Sequence, residues 1–250
     1  MKTFESIFHG ISPIVIYQTK LDHIEIIKEA FLNNFDKYGF DPKLYPMVDY
    51  SADPNPTFAN AGDLIGGVKG FIHQDECFSP LFSQLKIHLN KFLNGLSINT
   101  DKLSYHITKS WYTIVDGGAN INEHYHNAAD LSFVYYVRVP SEYGNIHFLN
   151  PSLRQNSLNC YFEGMLDDFP YERNLVKNTD NIHVQKYLSF PSFDGDLIIF
   201  PAALPHMVPP FENPAHEDRY SISGDIKLCL AKDVDDYATG LVHPSRWKEL

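Results

Sequence analysis

Residues 111–151, WYTIVDGGANINEHYHNAADLSFVYYVRVPSEYGNIHFLNP, hold three apolar, aromatic-rich runs cut by Gly, Asn, Asp and Pro. Aromatic and β-branched side chains suit a pleated, half-buried surface, and Gly144-Asn145 is a hairpin signal. Working outward, the same pattern predicts strands over 103–115, 131–139, 145–149, 184–190, 196–200, 205–208 and 219–230. Upstream the period changes. Ile24, Ile27, Phe31 and Phe35 recur at helical spacing behind an Asp22/Glu25 capping box. Ser79-Pro80 reads as the N-cap and first residue of a second helix with an apolar stripe of Leu81, Leu85, Leu89, Phe92 and Leu96. A short strand is predicted over 11–17.

Two helices followed by seven or more strands predict an α+β, mainly β chain. Its core is expected to be a double-stranded β-helix, a jelly-roll or cupin-like barrel, with the N-terminal helices packed on it. Residues 1–250 read as a single domain: 1–100 as a supporting region of helices and strand, and 103–230 as the core, with an insertion at about 150–183 that would shape or cover a pocket. The Pro-, Asn- and Gly-rich stretch 41–72 reads as a long irregular excursion.

A formal net charge of −11 disfavours nucleic acid as a partner, since phosphate binding needs clustered Lys and Arg. Cys77, Cys160 and Cys229 are far apart and odd in number, with no Cys-x-x-Cys pair, which predicts a reducing, cytoplasmic setting. No apolar run is long enough to predict a membrane span.

Residues two apart on a strand project to one side, so His124 and His126 can face inward together while Tyr125 faces out. His206 follows the apolar run DLIIF at 196–200. Arg219 and Ser221 are again two apart, in the alternating segment RYSISGDIKL at 219–228. Imidazoles bind transition metals, and a guanidinium fork with a neighbouring hydroxyl suits a carboxylate, so an organic diacid is the natural guest. His9, His73, His88, His183, His216 and His243 read as surface or packing residues, and so do His106 and His147 on predicted strands.

These residues resemble the 2-oxoglutarate and Fe(II)-dependent oxygenases, specifically a bacterial and phage group with a His-x-His motif before a tyrosine-rich strand. The matching stretches are 111–151 and FDGDLIIFPAALPHMVPPFENPAHEDRYSISGDI at 193–226, and the likeness covers roughly 103–227. The family pattern of His-x-Asp or His-x-Glu, a distal His, then Arg-x-Ser maps onto His124, His206, Arg219 and Ser221. The departure is His126, which stands at the carboxylate position of the usual two-His, one-carboxylate triad. Carried over residue by residue, the resemblance implies Fe(II) held by His124, His126 and His206, with Asp130 as the alternative third ligand. It also implies that Arg219 and Ser221 meet the far carboxylate of 2-oxoglutarate, with Tyr136 as a further contact. The implied reaction consumes dioxygen and 2-oxoglutarate, releases succinate and carbon dioxide, and hydroxylates an unidentified amino acid, peptidyl side chain or small metabolite. A His-for-Asp replacement leaves the ferrous centre about one charge more positive.

Two other classes fit part of the pattern. A zinc hydrolase or cupin-type dioxygenase needs the three histidines but not Arg219. A non-catalytic jelly-roll binding protein would have lost its metal along with the carboxylate.

Overall fold

The computed structural model describes residues 14–34, 57–59, 71–115, 120–140, 144–151, 185–209, 219–234 and 240–249. The chain divides into two compact units, one of 1–15 with 149–188 and one of 16–148 with 189–250. In the first unit, the Asn150 backbone N–H donates to the Lys186 carbonyl at 2.8 Å, and its side-chain amide donates to the Gln185 carbonyl at 3.0 Å. Everything described below on the core and the site lies in the second unit.

The elements run β1 (Tyr17–Lys20), α1 (Ile24–Asn34), β2 (Thr57–Ala59), α2 (Ser79–Gly95), β3 (Leu103–Val115), β4 (Ile121–His124), β5 (Leu131–Arg138), β6 (Ile146–Leu149), β7 (Tyr187–Phe190), β8 (Asp196–Pro201), β9 (His206–Val208) and β10 (Arg219–Leu230). They form a six-stranded sheet of order β1-β8-β5-β10-β3-β2 and a four-stranded sheet of order β4-β9-β6-β7. The expected α+β, mainly β jelly roll is therefore present. Among the described residues no helix is long and apolar enough to cross a membrane.

The alternation of β5 distributes its side chains between two cores. Phe133, Tyr135 and Val137 join Ile27 and Phe31 of α1 and Leu81, Leu85 and Phe92 of α2. Val134 and Tyr136 face the other way, onto Ile146, Phe148, Ile198 and Phe200. The two helices thus cover one side of the major sheet and leave the other for the site. In β3 the pairing with β10 skips a residue: Asp225 faces Lys109, but Ile226 faces Ile107. Thr108 is the unpaired residue of this bulge. It lets Leu103, Tyr105, Ile107 and Tyr112 all pack on the helix-side core.

Gly224 has no room for a side chain. A Cβ there would lie 2.6 Å from Cε1 of Phe133 and 2.8 Å from the Lys109 carbonyl oxygen. Gly224→Ala is expected to destabilise the protein by about 1–3 kcal/mol, because the aromatic ring must leave its packed position. The check is a urea unfolding curve, and an unchanged midpoint would contradict this packing.

Several element boundaries differ from the sequence reading. β1 begins at Tyr17, where the strand predicted over 11–17 ends, and residues 11–13 lie outside those described. α1 begins at Ile24, one residue later than the capping box predicts, after His23 at φ 55°. Asp22 instead exchanges two hydrogen bonds with Gln84, its N–H to Oε1 and its carbonyl from Nε2, each 2.8 Å. Phe35 lies outside the described residues. α2 starts one residue early, so Phe78 is the N-cap and Ser79-Pro80 fill the first turn. Leu96 falls past the helix end and is 39% exposed, so it does not belong to the buried stripe. The excursion at 41–72 is described only at 57–59 and 71–72, and the insertion at 150–183 only at 150–151.

Candidate metal and oxo-acid site

Three histidines converge between the sheets. His124, at the end of β4, is paired in register with His206, the first residue of β9. Strand pairing alone brings these two rings to a centroid separation of 4.3 Å. His126 lies two residues beyond the end of β4, not within a strand as its spacing suggested. Its backbone is held there by a 2.8 Å hydrogen bond from its N–H to the Ala202 carbonyl. Tyr125 between them is 54% exposed and faces out. One ligand nitrogen from each of the three histidines falls within 4.8 Å of the others.

Each imidazole has its Nδ1 engaged. His124 donates from Nδ1 to the Asn122 carbonyl at 2.8 Å, and His206 to the Leu204 carbonyl at 2.9 Å. His126 Nδ1 meets Oδ1 of Asp225 in a short contact. Once Nδ1 carries the proton, Nε2 is left as a bare lone pair, the form in which a neutral histidine ligates a metal.

For His206 and His124 burial favours that neutral form. Burial lowers the His206 pKa from 6.5 to about 3, with the nearby His124 adding to the effect. Burial also lowers that of His124. In metal-free protein the unfolded chain takes up a proton near pH 6.5 that folded His206 refuses down to about pH 3. The contribution is thus fully present above pH 6.5 and lost as pH falls through this window. With chelator present, the urea midpoint should fall steadily from pH 6.5 to pH 4.5; a flat midpoint would contradict the burial of a neutral ring.

Arg219 opens β10 and is 1% exposed. Its guanidinium carbon lies 4.7 Å over the Tyr136 ring, a cation–π contact that holds the side chain in place. Among the described residues its Nε and Nη1 have no hydrogen-bond partner, and neither has the buried Tyr136 hydroxyl. Ser221 pairs in register with Thr113 on β3 and Tyr136 on β5, which sets three hydroxyl side chains abreast across the major sheet. A cavity of about 160 Å³ is lined by the three histidines, Arg219, Ser221 and Thr113, with apolar walls from Ile121, Ile146 and Val208. A buried guanidinium with two nitrogens unsatisfied among the described residues is costly unless an anion joins it. The donor set therefore fits a metal ion together with a small carboxylate that reaches from it to Arg219.

Asp130 is elsewhere. Its Oδ1 accepts from Lys227 Nζ and its Oδ2 from the Leu228 N–H, each at 2.8 Å, which ties the carboxylate to β10. The carboxylate beside the histidines is that of Asp225, which the sequence reading passed over. It continues the inward row Arg219, Ser221, Ser223, and the period of two would have found it. Asp225 is 1% exposed. Burial on its own would raise its pKa, yet hydrogen bonds from His126 and Ser132 and the nearby Lys109 ammonium hold it below the ordinary value. Thr113 and Trp111 are further lining residues on the same alternation of β3. His106 and His147 line no part of the cavity; His106 bonds Ser104 at 3.0 Å and stacks edge-on with His243.

Residues 109–225 match the model of the family described as "Putative 2OG-Fe(II) oxygenase". This segment is similar to the 2OG-Fe(II) oxygenases. It contains every residue of the cavity just described. Among solved structures, the chain aligns with SnoN, a non-heme alpha-ketoglutarate-dependent epimerase from nogalamycin biosynthesis. That alignment has a TM-score of 0.52 at 12% identity, over 94% of this chain and 87% of that one. A prolyl hydroxylase from Trichoplax adhaerens, solved with a hypoxia inducible factor peptide fragment, aligns at TM-score 0.48 and 13% identity over 85% and 83% of the two chains. A 2OG-Fe(II) oxygenase family protein from Burkholderia pseudomallei aligns at TM-score 0.32 and 12% identity, over 50% of this chain and only 45% of that chain. At 12% identity the likeness to SnoN speaks for the fold alone. No curated protein matches the sequence.

Proposed function

We propose that this protein is a 2-oxoglutarate-dependent non-haem iron oxygenase in which His124, His126 and His206 hold Fe(II). Arg219, with Ser221 and the Tyr136 hydroxyl, takes the far carboxylate of 2-oxoglutarate. The observation that carries this reading is the fully buried Arg219, whose Nε and Nη1 have no hydrogen-bond partner among the described residues, in the same cavity as three histidines whose Nδ1 atoms are engaged. A metal with an activated water has no use for a buried carboxylate clamp, so the hydrolase reading leaves Arg219 unexplained.

When bound, iron and 2-oxoglutarate supply the oxidative decarboxylation and the activation of dioxygen. The chain's own residues bind and orient. The three rings would hold the metal, Arg219 would pair with the far carboxylate and set the direction of the cosubstrate, and Ile121, Ile146 and Val208 would help to keep water from the cavity. Hydroxylation of an amino acid, a peptidyl side chain or a small metabolite is the proposed outcome. A reducing, cytoplasmic setting accords with the free thiols of Cys77 and Cys229.

The test is to add Fe(II) and 2-oxoglutarate to the apo-protein without oxygen and to record the visible charge-transfer band, then to admit oxygen and assay succinate. Absence of both the band and succinate would overturn the proposal.

A further inference from the structure

We infer that Asp225 is a positioning residue that supplies, through His126, the negative charge and the orientation that a carboxylate ligand would supply at the metal itself. The inference rests on the iron site proposed above and names how that site works without a carboxylate in its first ring of ligands.

The argument begins with what His126 lacks. His124 and His206 are fixed by backbone carbonyls two residues before them, partners that any residue at those positions would provide. His126 lies beyond the strand end, and a side chain from another strand, 99 positions away, takes the carbonyl's place. Of the three rings, only His126 is oriented by a full negative charge. Oδ1 of Asp225 faces His126 Nδ1 and also accepts from the Ser132 hydroxyl at 2.7 Å. Ser132 Oγ lies 3.1 Å from the same His126 nitrogen, so the hydroxyl braces both groups. Oδ2 looks away, toward Lys109 Nζ at 3.6 Å. Lys109 in turn lies over the Trp111 ring at 5.3 Å, and Trp111 packs against His126 at 5.6 Å.

A carboxylate behind a histidine does two things. It locks the tautomer with the proton on Nδ1, and it raises the electron density of Nε2, so the metal sees a stronger donor than a neutral imidazole. The pair His126–Asp225 therefore carries the same formal charge as a single aspartate ligand, moved one ring further from the metal. His126 reads as a departure from the family pattern at one position and Asp225 as its compensation at another.

Two measurements on the full chain test this. Long-range proton–nitrogen NMR on metal-free wild type should show His126 as the Nδ1–H tautomer, and Asp225→Asn should turn it into a mixture. Anaerobic titration with Co(II) alone, read by its visible d–d band, should show binding weakened about 10- to 100-fold by Asp225→Asn. In a His126→Asp background the sign should reverse: two carboxylates then face one another, and Asp225→Asn should leave Co(II) affinity unchanged or raise it. A residue needed only for packing would lower affinity in both backgrounds, and that result would overturn the inference. So would an Nε2–H tautomer in wild type, or equal Co(II) affinity in wild type and Asp225→Asn. Failure of wild type to bind Co(II) at all would overturn the metal site itself.

Discussion

Arg219→Met is expected to make the metal-free protein more stable and to remove its use of 2-oxoglutarate. The guanidinium is among the largest fully buried side chains, with two of its nitrogens unpartnered among the described residues. Replacing a buried, unsatisfied charge with an apolar chain of similar length is neutral or stabilising by about 1–4 kcal/mol, because the desolvation cost disappears. The same replacement leaves the cosubstrate's far carboxylate in an apolar cavity with only hydroxyls. Losing one partner of such a pair costs about 2–5 kcal/mol, so the KM for 2-oxoglutarate should rise from thirtyfold to several-thousandfold. Co(II) affinity should stay within about twofold, since Arg219 is not among the three residues grouped as metal ligands. Thermal unfolding without ligands, 2-oxoglutarate kinetics and Co(II) titration together decide the matter. A variant that unfolds more easily and yet turns over 2-oxoglutarate normally would show Arg219 to be a structural residue. A protein that keeps full activity toward its substrate without 2-oxoglutarate would return the hydrolase reading to favour.

His206→Ala is expected to abolish metal binding in practice. Complete sites for a divalent metal are worth about 10–16 kcal/mol over four ligands, so one ligand accounts for about 3 kcal/mol, a loss above a hundredfold. His206 is the least exposed of the three, at 6%, and its ring packs at 4.8 Å from that of Phe200. His147→Ala is the control: it stands on β6 beside Met207, in the strand next to β9, and lines no part of the cavity. Co(II) titration should separate the two variants by about a hundredfold or more, and equal affinities would show that the histidine cluster does not hold the metal.

How much of this was legible in the sequence depends on how far apart the interacting residues lie. The strand runs over 103–115 and 219–230 were readable to the residue, because alternation is a local signal. The pairing of His124 with His206 needs the sheet register, yet both motifs pointed inward on their own strands. What the spacing misjudged was His126, whose inward direction is set by the Ala202 carbonyl and Asp225 after the strand has ended. Asp225 itself lay in plain view on the Arg219, Ser221, Ser223 row, but a carboxylate 99 positions from its imidazole carries no sign of that partner. Asp130 illustrates the reverse. It was close in sequence and chemically suitable, and β10 had already claimed both its oxygens. The start of α1 differs by one residue for a similar reason, since Gln84 reaches Asp22 from another helix.

The bulge at Thr108 has one more consequence. Leu103, Tyr105, Ile107, Lys109, Trp111 and Thr113 are all odd-numbered, and on an unbroken strand they would share one wall. The extra residue changes the phase between Ile107 and Lys109, so β3 is written in two frames: its first half speaks to the helices, its second to the site. Substitutions on either side are edits within a frame and stay local. The length of the strand between Leu103 and Lys109 is a different kind of information, since it alone decides whether Lys109, Trp111 and Thr113 look toward the histidines or toward the helices.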